Sequence, residues 1–241
     1  AASDVYKRQF EWGADLVVHS TTKFLSGQGN AMGGIVIDSG RFPWFGNAKY
    51  PSLSEPCPDY NGLTFAETFG DMAFTLYSHA VSLRDLGCTQ SPMNAWITLN
   101  GVETLPLRME RHVENAQKVA GFLQQHPSVE WVSYAGLSSS PYYQLAQKYL
   151  QGKAGSVFTF GIRGGYESGL RLLEKVELFS HVSNIGDSRS LILHPASTTH
   201  RQLSDEQRLT AGAGPEVIRL SVGIESAEDL IADLEQALEG L

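Results

Sequence analysis

A lysine stands in this chain where a lysine has least reason to be. Lys23 closes the string His19-Ser20-Thr21-Thr22-Lys23, directly after the apolar run Leu16-Val17-Val18 and directly before Ser26-Gly27-Gln28-Gly29-Asn30. An ε-ammonium is a compact, strongly hydrated charge that ordinarily finishes in water. Leu16 to Val18 and Gly33-Gly34-Ile35-Val36-Ile37 are short, rich in β-branched residues and bounded by glycine, which predicts buried, parallel strands. Between them the chain must turn tightly around Gly27, Gly29, Gly33 and Gly34.

The rest of the chain reads as a mixed α/β protein. At 241 residues, with 42% apolar and 18% charged residues, it has the composition of an ordinary globular protein with one large or two smaller domains. Residues 1–9 show no periodicity and are expected to be unrelated or disordered sequence. Residues 41–61 are loop-like, with Pro43, Pro51, Pro56 and Pro58 among aromatics, and Phe65 to Leu86 is helical with mixed faces. Over Thr104 to Gln125, Met109, Val113, Ala116, Ala120 and Leu123 recur at helical spacing, and Pro106 suits the first turn. Strands are expected at Val157 to Phe160 and Ser190 to Leu193, with a helix at Ser168 to Phe179 between them. Ser204-Asp205-Glu206-Gln207 has the capping-box arrangement, and Gly212 would close that helix. Ile218-Arg219-Leu220-Ser221-Val222 alternates as a half-buried strand. Ser226 caps a final helix that buries Leu230, Ile231, Leu234 and Leu238. A boundary near residue 103 divides a lysine-bearing part (10–103) from an α+β part (104–241).

Several function classes drop out. A formal charge of −8 lacks the basic footprint of a nucleic-acid binder. The two cysteines, Cys57 and Cys88, and the seven histidines have no metal-ligand spacing, so a reduced, cytoplasmic protein without a metal site is expected. No stretch has membrane-spanning length, and no leader sequence is read. The glycine loop lacks the G-x-x-x-x-G-K-[ST] string of a phosphate-loop nucleotidase.

Three features can carry chemistry. Lys23 is either an ordinary solvated lysine at a strand end or a Schiff-base lysine, with Ser20 and Thr22 donating hydroxyls to a cofactor phosphate. Arg219 is either on the solvent face of an edge strand, which its pattern alone favours, or a two-pronged partner for a carboxylate. His194-Pro195-Ala196-Ser197-Thr198-Thr199-His200 could shape a pocket, although a capped turn explains it nearly as well, and both histidines read as structural. Glu67 and Asp71 do not stand out from a helix face.

Taken together the strings are more specific. Gly13-Ala14-Asp15-Leu16-Val17-Val18-His19-Ser20-Thr21-Thr22-Lys23 resembles the active-site segment of the pyridoxal-phosphate enzymes of cysteine and methionine metabolism, the cystathionine γ-synthase-like family. Ile218 to Glu225 resembles that family's C-terminal signature. Phe42 through Pro58-Asp59-Tyr60-Asn61-Gly62-Leu63 to Gly70, and Leu191 through His194-Pro195 to Leu203, resemble its O-acetylhomoserine sulfhydrylase branch. The likeness runs from about Phe10 to the C-terminus.

The resemblance implies part of a fold type I transferase large domain followed by a smaller α+β domain, with pyridoxal 5′-phosphate as cofactor. It gives Lys23 the Schiff-base role, Ser20 and Thr22 the phosphate, and Arg219 the substrate carboxylate. Asn184 and Thr199 become substrate-side residues. The implied reaction is γ-replacement on O-acetyl-L-homoserine by sulfide or a thiol, in a homo-oligomer, a dimer or tetramer when full length. Family members run considerably longer at the N-terminus, where they carry a glycine-rich phosphate loop, a ring that stacks on the cofactor and an aspartate for its pyridine nitrogen. The expectation is therefore a C-terminal part of such an enzyme. Left open are a catalytically silent fragment, a cystathionine γ-synthase or γ-lyase, the acyl group and the sulfur donor.

Overall fold

The computed structural model describes residues 7–241, and most of the segment 1–9 lies outside the described residues. The chain divides into two compact units: one holds Arg8–Ser20 and Met32–Trp96, the other Thr21–Ala31 and Ile97–Leu241.

In the first unit, β1 (Leu16–Ser20) and β2 (Gly34–Asp38) form a two-stranded ribbon. The pairing is antiparallel, with Leu16 opposite Asp38 and Ser20 opposite Gly34, where parallel strands were expected. The ribbon is also not buried: Val18 is 72% and Val36 52% exposed. A two-stranded ribbon sends alternate side chains to opposite faces, and the unit's aromatic core takes up Leu16 from β1 but nothing from β2. That core is gathered by the proline-rich loop, α1 (Pro51–Ser54), α2 (Phe65–Phe69) and α3 (Ala73–Tyr77). Trp44 stacks on Phe74 at 5.6 Å between ring centroids, and Phe65 meets Tyr77 edge-on at 5.1 Å. The helical stretch expected over Phe65 to Leu86 is interrupted at Gly70–Met72 and finishes as a wider-wound turn, Ser78–Asp85.

The second unit is built on a five-stranded sheet. Its strands are β3 (Val129–Ser133), β4 (Val157–Ile162), β5 (Ser180–His181), β6 (Leu191–Leu193) and β7 (Val217–Ser221). They lie in the order β3-β4-β7-β6-β5, antiparallel except for the β5–β6 pair. Alternate residues Phe158, Phe160, Ile162, Ile192, Ile218, Leu220 and Val222 form a core with the long helices. After α4 (Pro92–Glu103) comes α5 (Leu105–Gln125), which buries Met109, Ala116, Ala120 and Leu123 completely and has Pro106 in its first turn. Two short helices, α6 (Tyr143–Leu150) and α8 (Asp205–Thr210), flank α7 (Gly165–Lys175) in chain order. The capping box of α8 is present, with Ser204 and Gln207 bonded reciprocally. The last helix, α9 (Ala227–Leu238), is capped by Ser226 and packs Leu230, Leu234 and Leu238 inward. Its buried Asp233 accepts the N–H groups of Glu177, Leu178 and Phe179 at 2.8, 2.9 and 3.1 Å, so the charge is fully engaged and the loop after α7 is tied to α9. Among the described residues no helix is long and apolar enough to cross a membrane.

Two histidines are buried in this unit. His112 lies with Nδ1 2.6 Å from the Val222 carbonyl, and His194 with Nε2 2.9 Å from that of Pro215. Burial pushes both imidazoles below their ordinary value. The unfolded chain therefore takes up protons near pH 6.5 that the folded chain resists, and stability present above that pH is lost as pH falls through it. Urea midpoints measured from pH 8 to 5 are expected to hold steady and then decline below about pH 6.5, with a shallower decline in His112→Gln. An unchanged slope in both His112→Gln and His194→Gln would contradict this.

Candidate active site around Lys23

Directly after β1, Thr21–Leu25 winds into one wide turn. The Ser26 N–H donates to the Thr21 carbonyl at 3.1 Å, the Gly27 N–H to that of Lys23 at 2.8 Å, and Ser26 Oγ to that of Thr22 at 3.1 Å. Thr21 and Phe24 point inward, while Thr22 and Lys23 are half-buried. Phe24, 2% exposed, fills a pocket of Leu105, Met109, Val113 and Val157. Burying a phenylalanine is worth about 2–3 kcal/mol, enough to set which way the turn faces. Lys23 is carried to the other side of it.

The Lys23 ammonium donates to Asn184 Oδ1. The main-chain carbonyl of the same Asn184 accepts from Arg219 Nη2 at 3.3 Å. One residue thus joins the two cations, through its side chain on one side and its backbone on the other. Gly186 lets this loop lie so close: it sits at φ +73, and a Cβ there would come within 2.7 Å of the Phe24 nitrogen. The Gly186 N–H donates to the buried Ser221 Oγ at 2.9 Å, which pins the loop to β7.

Arg219 is not on an edge strand. β7 is flanked by β4 and β6, and Arg219 lies in register with Thr159 and Leu193, on the sheet face opposite Ile218 and Leu220. Burial lowers its guanidinium from the ordinary arginine value. Among the described residues, neither Lys23 nor Arg219 has a carboxylate within ion-pair distance. Two half-buried cations without counter-ions form an anion-receptive site.

The other sequence candidates fall elsewhere. Ser20 is exposed at the end of β1, opposite Gly34. Thr22 is half-buried, with its carbonyl bonded to Ser26. Thr199 is exposed and its hydroxyl meets His200 Nδ1 at 2.9 Å, a contact separate from the Lys23–Asn184–Arg219 group. His194 and His200 have structural partners, as expected.

Sequence reasoning did not reach the polar edge of α5. His112 meets the Phe24 ring edge-on at 5.4 Å and bonds the Val222 carbonyl. Asn115 Nδ2 donates to the carbonyls of Gly223 and Glu225 at 3.0 and 2.8 Å. Arg108, four residues before His112, completes the row. Their spacing of i, i+4 and i+7 is the only signal in the sequence, and a solvated helix face shows the same pattern.

The family described as Cys/Met metabolism PLP-dependent enzyme matches residues 1–239. O-acetyl-L-homoserine sulfhydrylase 1 of Thermus thermophilus is 50% identical over 231 residues, covering 96% of this chain and 55% of that protein. O-acetyl-L-homoserine sulfhydrylase of Leptospira meyeri is 51% identical over 238 residues, covering 95% and 54%. The chain thus spans about half the length of the curated relatives it matches. Among solved structures, a Campylobacter jejuni protein described as O-acetylhomoserine (thiol)-lyase, with N′-pyridoxyl-lysine-5′-monophosphate, superposes with a TM-score of 0.93 at 42% identity. That match covers 98% of this chain and 56% of the other. Cystathionine γ-synthase of Xanthomonas oryzae gives 0.76 at 32% identity, over 96% and 51%. The α/β fold is therefore that of the PLP-dependent enzymes.

Asn184→Ala removes the acceptor from Lys23 while keeping the carbonyl that serves Arg219. Acylation of the Lys23 amine by acetic anhydride, followed by peptide mapping, is expected to speed up roughly fivefold, the equivalent of one net hydrogen bond of about 1 kcal/mol. An unchanged rate would show that Asn184 does not hold the amine in solution.

Proposed function

The chain belongs to the Cys/Met metabolism PLP-dependent enzyme family, and from that premise we propose that it serves γ-replacement on O-acetyl-L-homoserine. Sulfide or a thiol displaces acetate and gives homocysteine or methionine. The sulfhydrylase relatives support this branch over a cystathionine γ-synthase or γ-lyase. The observation that carries it is the Lys23–Asn184–Arg219 chain, with two cations that have no carboxylate partner among the described residues.

These residues fit the cofactor and its substrate. Lys23 would hold the aldehyde carbon of pyridoxal phosphate, and by the family resemblance the hydroxyls of Ser20 and Thr22 would serve its phosphate. When bound, the group supplies a carbonyl that captures amines and a ring that takes up the electron pair left at the substrate Cα. Arg219 binds the α-carboxylate through its planar fork, more strongly because it is partly withdrawn from water. Asn184 Oδ1 accepts a hydrogen bond from the Lys23 amine whenever that amine is free, which keeps it beside the substrate. The freed Lys23 amine takes the proton from Cα and then moves one at Cβ, before acetate leaves Cγ. A substrate-side role for Thr199 rests on the family resemblance alone, since its hydroxyl meets His200. The proposal extends to a cytoplasmic homo-oligomer, and the net charge of −8 speaks against nucleic acid as a partner.

Mixing the protein with pyridoxal phosphate is expected to produce the visible absorbance of a lysine-bound cofactor, and Lys23→Ala to abolish it. Homocysteine should then form from O-acetylhomoserine and sulfide. Cofactor binding without turnover would sink the γ-replacement reading for this chain, and absorbance that survives in Lys23→Ala would sink the lysine assignment. Arg219→Ala should raise KM by roughly ten- to a hundredfold with a smaller change in kcat, as for loss of a ground-state carboxylate contact.

A further inference from the structure

Arg108 lies in the first turns of α5, half-buried, and among the described residues no carboxylate pairs with it. Its guanidinium instead collects main-chain carbonyls. Nη1 donates to Phe24 at 2.9 Å, while Nη2 donates to Gly101 at 2.6 Å and to Leu25 at 3.4 Å. Nε is held by Thr104 Oγ1 at 3.2 Å. Burial lowers Arg108 from the ordinary arginine value.

The three carbonyls belong to two helical ends. Gly101 is near the C-terminus of α4, and Phe24 and Leu25 close the wide turn that carries Lys23. Carbonyls at such ends lack partners and carry partial negative charge, so a cation is stabilised there. Gly101 makes the shared approach possible. A Cβ at that position would lie 2.3 Å from the Leu25 carbonyl oxygen and 2.5 Å from that of Ser26, both backbone atoms that cannot swing away.

We propose that Arg108 is a positioning residue for Lys23, holding the two peptide groups that follow it so that the amine faces Asn184. This rests on the functional reading of Lys23 given above. A lysine side chain has four rotatable bonds, so the protein can aim its amine only by fixing the backbone it leaves from. The Phe24 ring fixes one side of that backbone. The Arg108 fork fixes the carbonyls of Phe24 and Leu25. A third tie, from the Ser188 N–H to the Gly27 carbonyl at 2.8 Å, holds the end of the turn to the Asn184 loop. Three donors in one plane suit a guanidinium and not an ammonium, so Lys at this position loses the arrangement while keeping the charge.

The test uses two readouts on the whole chain. One is the rate at which borohydride traps pyridoxal phosphate on Lys23, read by peptide mass spectrometry. The other is amide hydrogen exchange at Ser26 and Gly27, whose N–H groups bond the Thr21 and Lys23 carbonyls. In Arg108→Ala, trapping at Lys23 is expected to slow about tenfold, the order of loss that follows when a reacting group is misplaced by a fraction of an ångström. Exchange at Ser26 and Gly27 should quicken while protection in β4 and β7 stays, and added methylguanidinium should recover part of the trapping rate. If Arg108→Ala does not fold, Arg108→Lys gives the same readouts with the charge retained, and the same slowing is expected. Wild-type trapping and wild-type exchange at Ser26 and Gly27 in a folded variant would overturn the proposal. So would loss of protection spread evenly over the sheet. Failure of the wild-type chain to trap the cofactor at Lys23 counts against the functional reading, and the exchange at Ser26 and Gly27 still decides the role of Arg108.

Discussion

A lysine amine can be kept half out of water only if something accepts its hydrogen bonds, and here that something is the side-chain carbonyl of Asn184. The arrangement works because Asn184 is neutral. A carboxylate in its place would form an ion pair and satisfy the charge outright, leaving the amine little reason to exchange partners. An amide oxygen satisfies one donor and leaves the charge uncompensated. The same residue gives its main-chain oxygen to Arg219, so the two cations are set by one loop rather than by separate elements. That loop in turn depends on Gly186, whose missing Cβ lets it close on the Phe24 backbone and on Ser221.

The sheet explains why Arg219 can be used at all. In β7 and the residue after it, Ile218, Leu220 and Val222 face the core beneath α5, α7 and α9. The alternate positions, Arg219 and Ser221, are thereby turned to the opposite face. There Ser221 receives the Gly186 N–H and Arg219 reaches Asn184. A central strand offers this face with both neighbours, Thr159 and Leu193, fixed by hydrogen-bonded register, so the guanidinium starts from a rigid base. The polar row of α5 adds struts from the side: His112 and Asn115 hold the end of β7 through Val222, Gly223 and Glu225, while Arg108 holds the turn that carries Lys23.

Local signals were readable in the amino-acid order, and long-range ones were not. The stripe from Met109 to Leu123, the Ser204 capping box and the Ser226 cap are written within a few residues of themselves, and each forms as read. The pairing of β1 with β2 was misread because an apolar run states only that a strand is favourable, and nothing in it specifies direction or what covers its faces. Arg219 was open to an edge-strand reading for a related reason: Ile218 to Val222 alternates equally well at an edge or in the centre, and the two flanking strands come from distant parts of the chain. Arg108, His112 and Asn115 do not stand out in the sequence, since charged and polar residues at helical spacing usually face water.

By itself, the order of residues determined most of the elements and their caps, since these follow from local sterics and burial periodicity; it offered Lys23 and Arg219 as candidates, and only the family resemblance favoured a chemical role over a solvated one. Tertiary structure decided which of them lie together. Lys23 and Asn184 are 161 positions apart, and their hydrogen bond exists only because Phe24 is buried against α5 and Gly186 lets the later loop close over it. A contact of that span is a property of the packed core, where excluded volume and unsatisfied carbonyls leave one arrangement, and no window of sequence contains it.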